Sequence, residues 1–345
     1  DSAWLACVLV LVQYNDGNGF NVPHENVHHD GLCELQGTPE NISTIKGVDL
    51  NPGKLGNFLG ATYSTGLYEL DGALYHFCCR SVQKPGAWRF YDTCLYKSVD
   101  GGATWINHLG QKNQYVPEDL ASSTFPDKRW GEVNFIKYGR GGEAPDLDRA
   151  REFAYVSCGV YLARIRRADL SAWHGVFDRS KIEYFCGSAN ADGKLDINWT
   201  PQINRCTPIY SGRGFRTIVW NPGLKRYLTT SFMGDSWENP PVPSTLFIYD
   251  APHPWGPWTE INSEYIEPRV GDNLAWFFLM QPFMSSDGTR MWATVSGRKP
   301  YGLQFLPIDL TTQPVATRMA AQAERSGTGL STEVKGSLNR AYIDG

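Results

Sequence analysis

Two stretches near the start of the chain carry residue types that can do chemistry. His24-Glu-Asn-Val-His28, followed by His29, Asp30 and Glu34, satisfies the His-Glu-x-x-His spacing of zinc peptidases. That mechanism needs both histidines one turn apart on a rigid helix, so that they share Zn²⁺ while Glu25 activates water. The surroundings oppose a helix. Asp16-Gly-Asn-Gly-Phe-Asn-Val-Pro23 upstream is turn-rich without an apolar helical face, and Gly31 closes the segment after barely two turns. The segment therefore reads as a solvated loop, and neither a metal nor a cofactor is expected.

The carboxylates at the ends of that loop are better placed. Ala3 to Tyr14 reads as an inner strand, Asp16 emerges at its end, and Asp30 stands where the chain re-enters the sheet. Neighbouring strands lie about 4.8 Å apart, so carboxylates flanking one such loop stand about 5–9 Å apart, which covers both geometries of glycoside hydrolysis. Such a reaction needs one carboxyl kept protonated and one ionised. A loop Asp taken singly is more often a turn cap. Supporting groups are Arg80 at the end of a predicted inner strand, and Arg213 and Arg216 in Gly212-Arg-Gly-Phe-Arg216. Each guanidinium either binds sugar hydroxyls or a substrate carboxylate, or pairs with a neighbouring sheet. Trp276 is a stacking platform or a core residue. Tyr138 and Arg140, beside and within the run Gly139 to Gly142, line a channel mouth or a solvated turn.

The elements that must position these residues are strands. The 345 residues have a formal net charge of −4, 41% hydrophobic and 20% charged residues, enough to bury a large core and too little charge for disorder. No basic tract is present, which excludes nucleic acid and an anionic membrane surface as main partners. The expected partner is a polysaccharide or oligosaccharide, and a monomer is the working expectation. The 12 Trp, 17 Tyr and 16 Phe suit both a packed interior and flat sugar-binding walls. The eight cysteines are even in number and lack a Cys-x-x-Cys pair, which suits a disulfide set. Cys78 and Cys79, adjacent on a predicted strand, should face opposite sides. The sequons Asn41-Ile-Ser and Asn198-Trp-Thr agree with a secreted, extracellular protein, as does a start at Asp1, which fits a leader already removed. The apolar run Ala3 to Val12 is too short to span a bilayer.

Long amphipathic helical patterns are nearly absent; the one short helix expected lies within Arg167 to Trp173. Short runs of Val, Ile, Tyr, Phe and Trp recur between Gly, Pro, Asn and Asp clusters, an all-β pattern. Ser98-Val-Asp-Gly-Gly-Ala-Thr-Trp105 has the Ser-x-Asp-x-Gly-x-Thr-Trp form of an Asp box, the turn between outer strands of sialidase-type blades. Asp100 is suited to accept turn N–H groups and the glycines to adopt positive φ. Tyr249 to Trp258 and Met284 to Trp292 are degenerate counterparts. The expectation is a single β-propeller domain over residues 1–345, with five blades of about 69 residues, or seven of about 49 as the alternative count.

Several pieces together resemble one family. Tyr14-Asn-Asp16-Gly-Asn-Gly-Phe20, His29-Asp30-Gly31, Gly37-Thr-Pro-Glu-Asn41, Gly66 to Tyr75, the Asp box, Asn134-Phe-Ile-Lys-Tyr-Gly139, Tyr161 to Ile165, Trp220 to Tyr227, Ala251 to Thr259 and Ser286 to Arg290 look like the domain of unknown function 4185 family. The resemblance covers roughly Leu5 to Leu310. It implies a five-bladed propeller and, from relatives similar to glycoside hydrolase family 183, an endo-acting hydrolase on D-arabinan whose acidic pair falls on Asp16 and Asp30. Asn15 in place of a Gly, and the three histidines of the longer loop, depart from the family pattern and bear on substrate. Two other functions fit the same residues: a non-catalytic, lectin-like carbohydrate-binding propeller, and a polysaccharide lyase using a Tyr or His base with an Arg against a uronate.

Overall fold

The computed structural model describes residues 10–14, 31–38, 41–49, 62–84, 87–114, 120–139, 142–189, 195–215, 217–233, 244–266, 275–297, 303–310 and 341–342. They are almost wholly β. One helical turn, Arg167–Ser171, follows a strand, in the place the sequence marks for it. No helix among them is long and apolar enough to cross a membrane.

The strands form consecutive antiparallel meanders. The first sheet is β1 (Val10–Tyr14), β2 (Gly31–Thr38) and β3 (Asn41–Asp49). The second is β4 (Thr62–Leu70), β5 (Ala73–Lys84), β6 (Ala87–Ser98) and β7 (Ile106–Asn107). The next stretch of chain serves two sheets, as β8 (Asn134–Phe135) and β9 (Lys137–Tyr138). β8 borders β10 (Phe153–Cys158), β11 (Tyr161–Arg166) and β12 (Ile182–Phe185). A ribbon of β13 (Ser188–Ala189) and β14 (Leu195–Asp196) comes next, and β15 (Trp199–Thr200) then completes that third sheet outside β12. β9 lies parallel on β16 (Ile218–Asn221), followed outward by β17 (Arg226–Met233), β18 (Ser244–Ala251) and β19 (Thr259–Ile266). The last sheet is β20 (Ala275–Met284), β21 (Arg290–Gly297), β22 (Leu303–Asp309) and β23 (Ala341–Tyr342).

Hairpin chemistry sets these registers. β4 and β5 are joined by Asp71-Gly72, both at positive φ (53° and 75°), the conformation that matches the twist of the strands. Gly159, at φ 56°, does the same between β10 and β11. Four apolar clusters lie between successive sheets: one around Leu32, Leu74 and Tyr96, one around Phe77, Trp130 and Val156, one around Phe153, Trp220 and Tyr249, and one around Leu228, Met280 and Leu306. Each burial of a large side chain there stabilises by about 1.5–3 kcal/mol.

The arrangement is a β-propeller of four blades, the four sheets of four or five strands, with β1 of the three-stranded sheet against β4. The count departs from the five or seven expected from length. Dividing the chain evenly assumes that every stretch builds strands, whereas described connections such as 120–133 and 201–215 contribute none to a blade.

The turn after β6 is closed by Asp100. Its Oδ1 accepts from Thr104 N–H (2.8 Å) and Ser98 Oγ (2.8 Å), its Oδ2 from Thr104 Oγ1 (2.7 Å). The Thr104 bonds hold this carboxyl at a pKa of about 2. Gly101 and Gly102 have φ of 67° and 88°, and Trp105 is buried among Leu32, Leu74 and Tyr96. Asp287 gathers Ser285 Oγ (2.6 Å) and Thr289 N–H (3.0 Å) in the same way, but in the β20–β21 hairpin rather than between outer strands. Asp250, in the third segment with this pattern, instead pairs with Arg226 (2.9 Å). No disulfide joins two of the described cysteines, contrary to expectation. Cys78 and Cys94 oppose each other in register, yet the Cys94 thiol turns to His108 Nδ1 at 3.2 Å.

The third and fourth sheets are also joined by a carboxyl–imidazole hydrogen bond. Asp148, at φ 62° in the connection before β10, is almost wholly buried and accepts from His253 Nδ1 at 2.6 Å. Burial raises the carboxyl pKa against the opposing pull of His253 and of the Tyr227 hydroxyl. Replacing His253 by Ala removes the imidazole partner of that carboxyl. The expected loss is about 2 kcal/mol by urea unfolding, below the value for a fully buried pair because the imidazole is partly exposed. Asp148→Asn added to His253→Ala should recover much of it; additive losses in the double variant would show that the pair is not coupled.

Candidate functional site

The segments leading into β8 and β16 and the β10–β11 turn come together around an open cleft of about 440 Å³. It is lined by Lys128, Arg129, Glu132, Tyr161, the turn Cys158 to Val160, and the glycines Gly131, Gly212 and Gly214. Gly159 turns its left-handed backbone toward free space, where a Cβ would meet nothing within 4 Å. Arg129 is fixed from three sides. It donates to Asp127 through Nε (3.0 Å) and Nη2 (2.7 Å) and to the Ile203 carbonyl (3.0 Å), and its guanidinium lies 5.0 Å from the centre of the Tyr161 ring. Its charge is thereby matched by Asp127, and the cleft keeps a half-buried aromatic ring and the carboxyl of Glu132.

From Glu132 a polar file runs along the innermost strand. Glu132, Asn134 and Lys137 are half-buried, while Val133, Phe135, Ile136 and Tyr138 between them are buried. Asn134 Nδ2 donates to the Glu132 carbonyl (3.2 Å). Lys137 Nζ donates to Gln281 Oε1 on β20 (3.1 Å), and Gln281 Nε2 donates in turn to Thr294 Oγ1 on β21 (2.8 Å). Burial alone lowers the Lys137 pKa to about 8. β4 packs against this file so closely that a Cβ on Gly66 would stand 2.9 Å from the Asn134 Cα.

Of the residues picked out by sequence, Asp16, Asp30, Arg140 and Arg216 lie outside the described residues, as does the His24 to His29 motif. Trp276 belongs to β20, its side chain outside the description. Arg80 on β5 pairs with Asp92 on β6 of the same blade at 2.7 Å. Arg213, exposed, sits between the cleft glycines Gly212 and Gly214 with its guanidinium 4.1 Å from the Phe247 ring centre. Tyr138 is buried against Trp220 and Tyr227 rather than at a channel mouth.

Sequence reading missed Glu132, Asn134 and Lys137. Asn134 to Tyr138 reads as one strand, and simple alternation puts residues 134, 136 and 138 on one face. The strand changes sheets at Ile136, whose N–H donates to the Tyr155 carbonyl (2.9 Å), and this break turns Lys137 to the open side. Among the described residues no group of three or more His, Cys, Asp or Glu side chains is placed to hold a metal ion.

No family profile and no curated protein sequence matches the chain. Among the solved structures it is similar to, one is described as a glycoside hydrolase, with 10% sequence identity and a TM-score of 0.27. The match covers 69% of this chain and 60% of that one, so this chain spans about 60% of that protein's length. A likeness of that size assigns no residue.

The lysine on the axis gives a pH test. Its pKa of about 8 lies below the ordinary 10.5, so its charge disfavours folding fully below pH 8, and the penalty lifts as pH rises from about 8 to 10.5. Stability of the wild type minus that of Lys137→Met should therefore climb between about pH 8 and pH 10. The subtraction removes the opposing contribution of buried thiols and tyrosines; a flat difference across that window would refute the assignment.

Proposed function

We propose that this chain is a secreted glycoside hydrolase that cleaves a polysaccharide, with Asp16 and Asp30 dividing the acid and the base or nucleophile work. The observation that carries the reading is the cleft. Its ring at Tyr161, held flat by a charge-balanced guanidinium, is a stacking surface for a sugar, and exposed glycine backbone and Glu132 offer partners for hydroxyls. D-arabinan is the first substrate to try, because the sequence resemblance points to it. Arg213, beside the cleft glycines, is the described guanidinium best placed to meet an extended chain. In this reading the substrate needs no cofactor, since proton transfer between two carboxyls of different pKa is sufficient for hydrolysis.

One observation favours a second reading. Among the described residues lining the cleft, Glu132 is the single carboxylate, and both hydrolytic geometries require two. If the Asp pair does not converge there, the same surface is that of a non-catalytic carbohydrate-binding propeller.

A panel of polysaccharides including D-arabinan, scored for new reducing ends, separates the two. Hydrolysis is expected, and Asp16→Asn or Asp30→Asn should each lower it by about a thousandfold with the far-ultraviolet circular dichroism unchanged. Tyr161→Ala should weaken glycan binding by about tenfold, as expected for loss of a stacking ring. Glycan retained on an array without new reducing ends establishes the binding protein instead, and full activity in both Asp variants removes them from the chemistry.

A further inference from the structure

The innermost strands carry a charge that the proposed hydrolysis does not use. Lys137 lies on β9 at the inner edge of its sheet, and its ammonium reaches Gln281 on β20, the inner edge of the last sheet. A bond between two innermost strands stands at the propeller axis. An ammonium has three N–H donors, and among the described residues one of them is engaged. Its partner is neutral: the Gln281 carbonyl faces Lys137 because the amide end of the same side chain is held by Thr294. No described carboxylate forms an ion pair with Lys137, whose one described polar partner is Gln281.

A cation withdrawn from water without a counter-charge is costly, and methionine would fill the same space without that cost. Lys137 is nevertheless half-buried rather than fully enclosed. We infer that Lys137 and Gln281 form an anion-binding site on the propeller axis, which takes a small oxyanion of the carboxylate or phosphate class through the N–H directions that Gln281 leaves open. The anion supplies a counter-charge that none of the described residues gives, and the Lys137–Gln281–Thr294 chain orients the ammonium. The carboxylate of an acidic sugar and a free inorganic anion share this chemistry. The inference stands on residues separate from Asp16 and Asp30 and does not require that the chain be a hydrolase.

The test is calorimetric titration of the full chain with sodium acetate, inorganic phosphate, sodium glucuronate and, as a neutral control, glucose. Saturable binding of at least one of the anions and none of glucose is expected at this site. Lys137→Met should weaken it by about tenfold or more, the loss expected for a charge-assisted hydrogen bond. Gln281→Glu places a carboxylate against the ammonium and should abolish binding by occupying the anion's position. Lys181→Met, at an exposed lysine, should leave the affinity unchanged. Tighter binding of glucuronate than of acetate identifies an acidic sugar as the source, and equal binding a free anion. The inference is overturned if the wild type binds none of the anions, or if binding survives in Gln281→Glu and in folded Lys137→Met.

Discussion

The backbone between Asn134 and Tyr138 is the constraint on which the rest depends. In five residues it pairs antiparallel with β10, gives up its register at Ile136, and pairs parallel with β16. Its side chains follow the same division. Phe135 packs into the cluster between the second and third sheets, whereas Ile136 and Tyr138 pack into the cluster between the third and fourth. Two sheets that share an inner strand cannot slide or rotate independently, because either motion breaks ladder hydrogen bonds in a buried setting where nothing replaces them. The crossover thus fixes the angle between two blades and, with the same stroke, decides which residues face the axis.

Around that strand the blade interfaces use two kinds of contact. Threonine hydroxyls on one blade bond to carbonyls of the next: Thr65 to Val133, Thr93 to Trp130 and Gly131, and Thr217 to Met280. The first three of these carbonyls lie in the connection that leads into β8, outside any ladder, whereas Met280 belongs to β20. Farther out the contacts are aromatic and cationic. Arg164 lies between Phe153 and Trp199, 4.1 Å from each ring centre, with its charge met by Glu183 at 2.7 Å. Trp199 continues to Trp255 and Trp255 to His253, so the third and fourth sheets are joined by a run of stacked and edge-on rings ending at Asp148. This explains the aromatic richness of the chain in structural terms: most of the described rings are interface, and Tyr161 stands out by lining open space.

Much of the fold was legible because it depends on local rules. Alternating β-branched and aromatic runs mark β10, β11 and β17, and the Asp71-Gly72 and Asp100 turns follow from residues whose side chains and φ preferences act within a few positions. What stayed hidden depends on partners distant in sequence. The register break at Ile136 is set by β10 and β16, and nothing in Asn134-Phe-Ile-Lys-Tyr announces it; that is why Tyr138 was singled out and Lys137 was not. Asp287 shows the converse limit. Its turn repeats the hydrogen bonds of Asp100, yet it joins strands one and two of its blade, so a local motif identifies a turn without counting blades. The cysteines make the same point: even number suggests pairing, but Cys78 and Cys94, neighbours in register, are kept in a dry core where the thiol of Cys94 has His108 to bond to.

Charge pairing then determines what the open end of the propeller can receive. The described cleft carries Lys128, exposed, together with two guanidiniums that are already engaged. Arg129 is matched by Asp127, and Arg213 lies over a ring. Guanidiniums held in this way orient side chains and contribute little long-range field. Beside them the cleft presents glycine backbone, an aromatic ring, the Lys128 ammonium and one carboxyl, groups that bind by hydrogen bonding and stacking at short range.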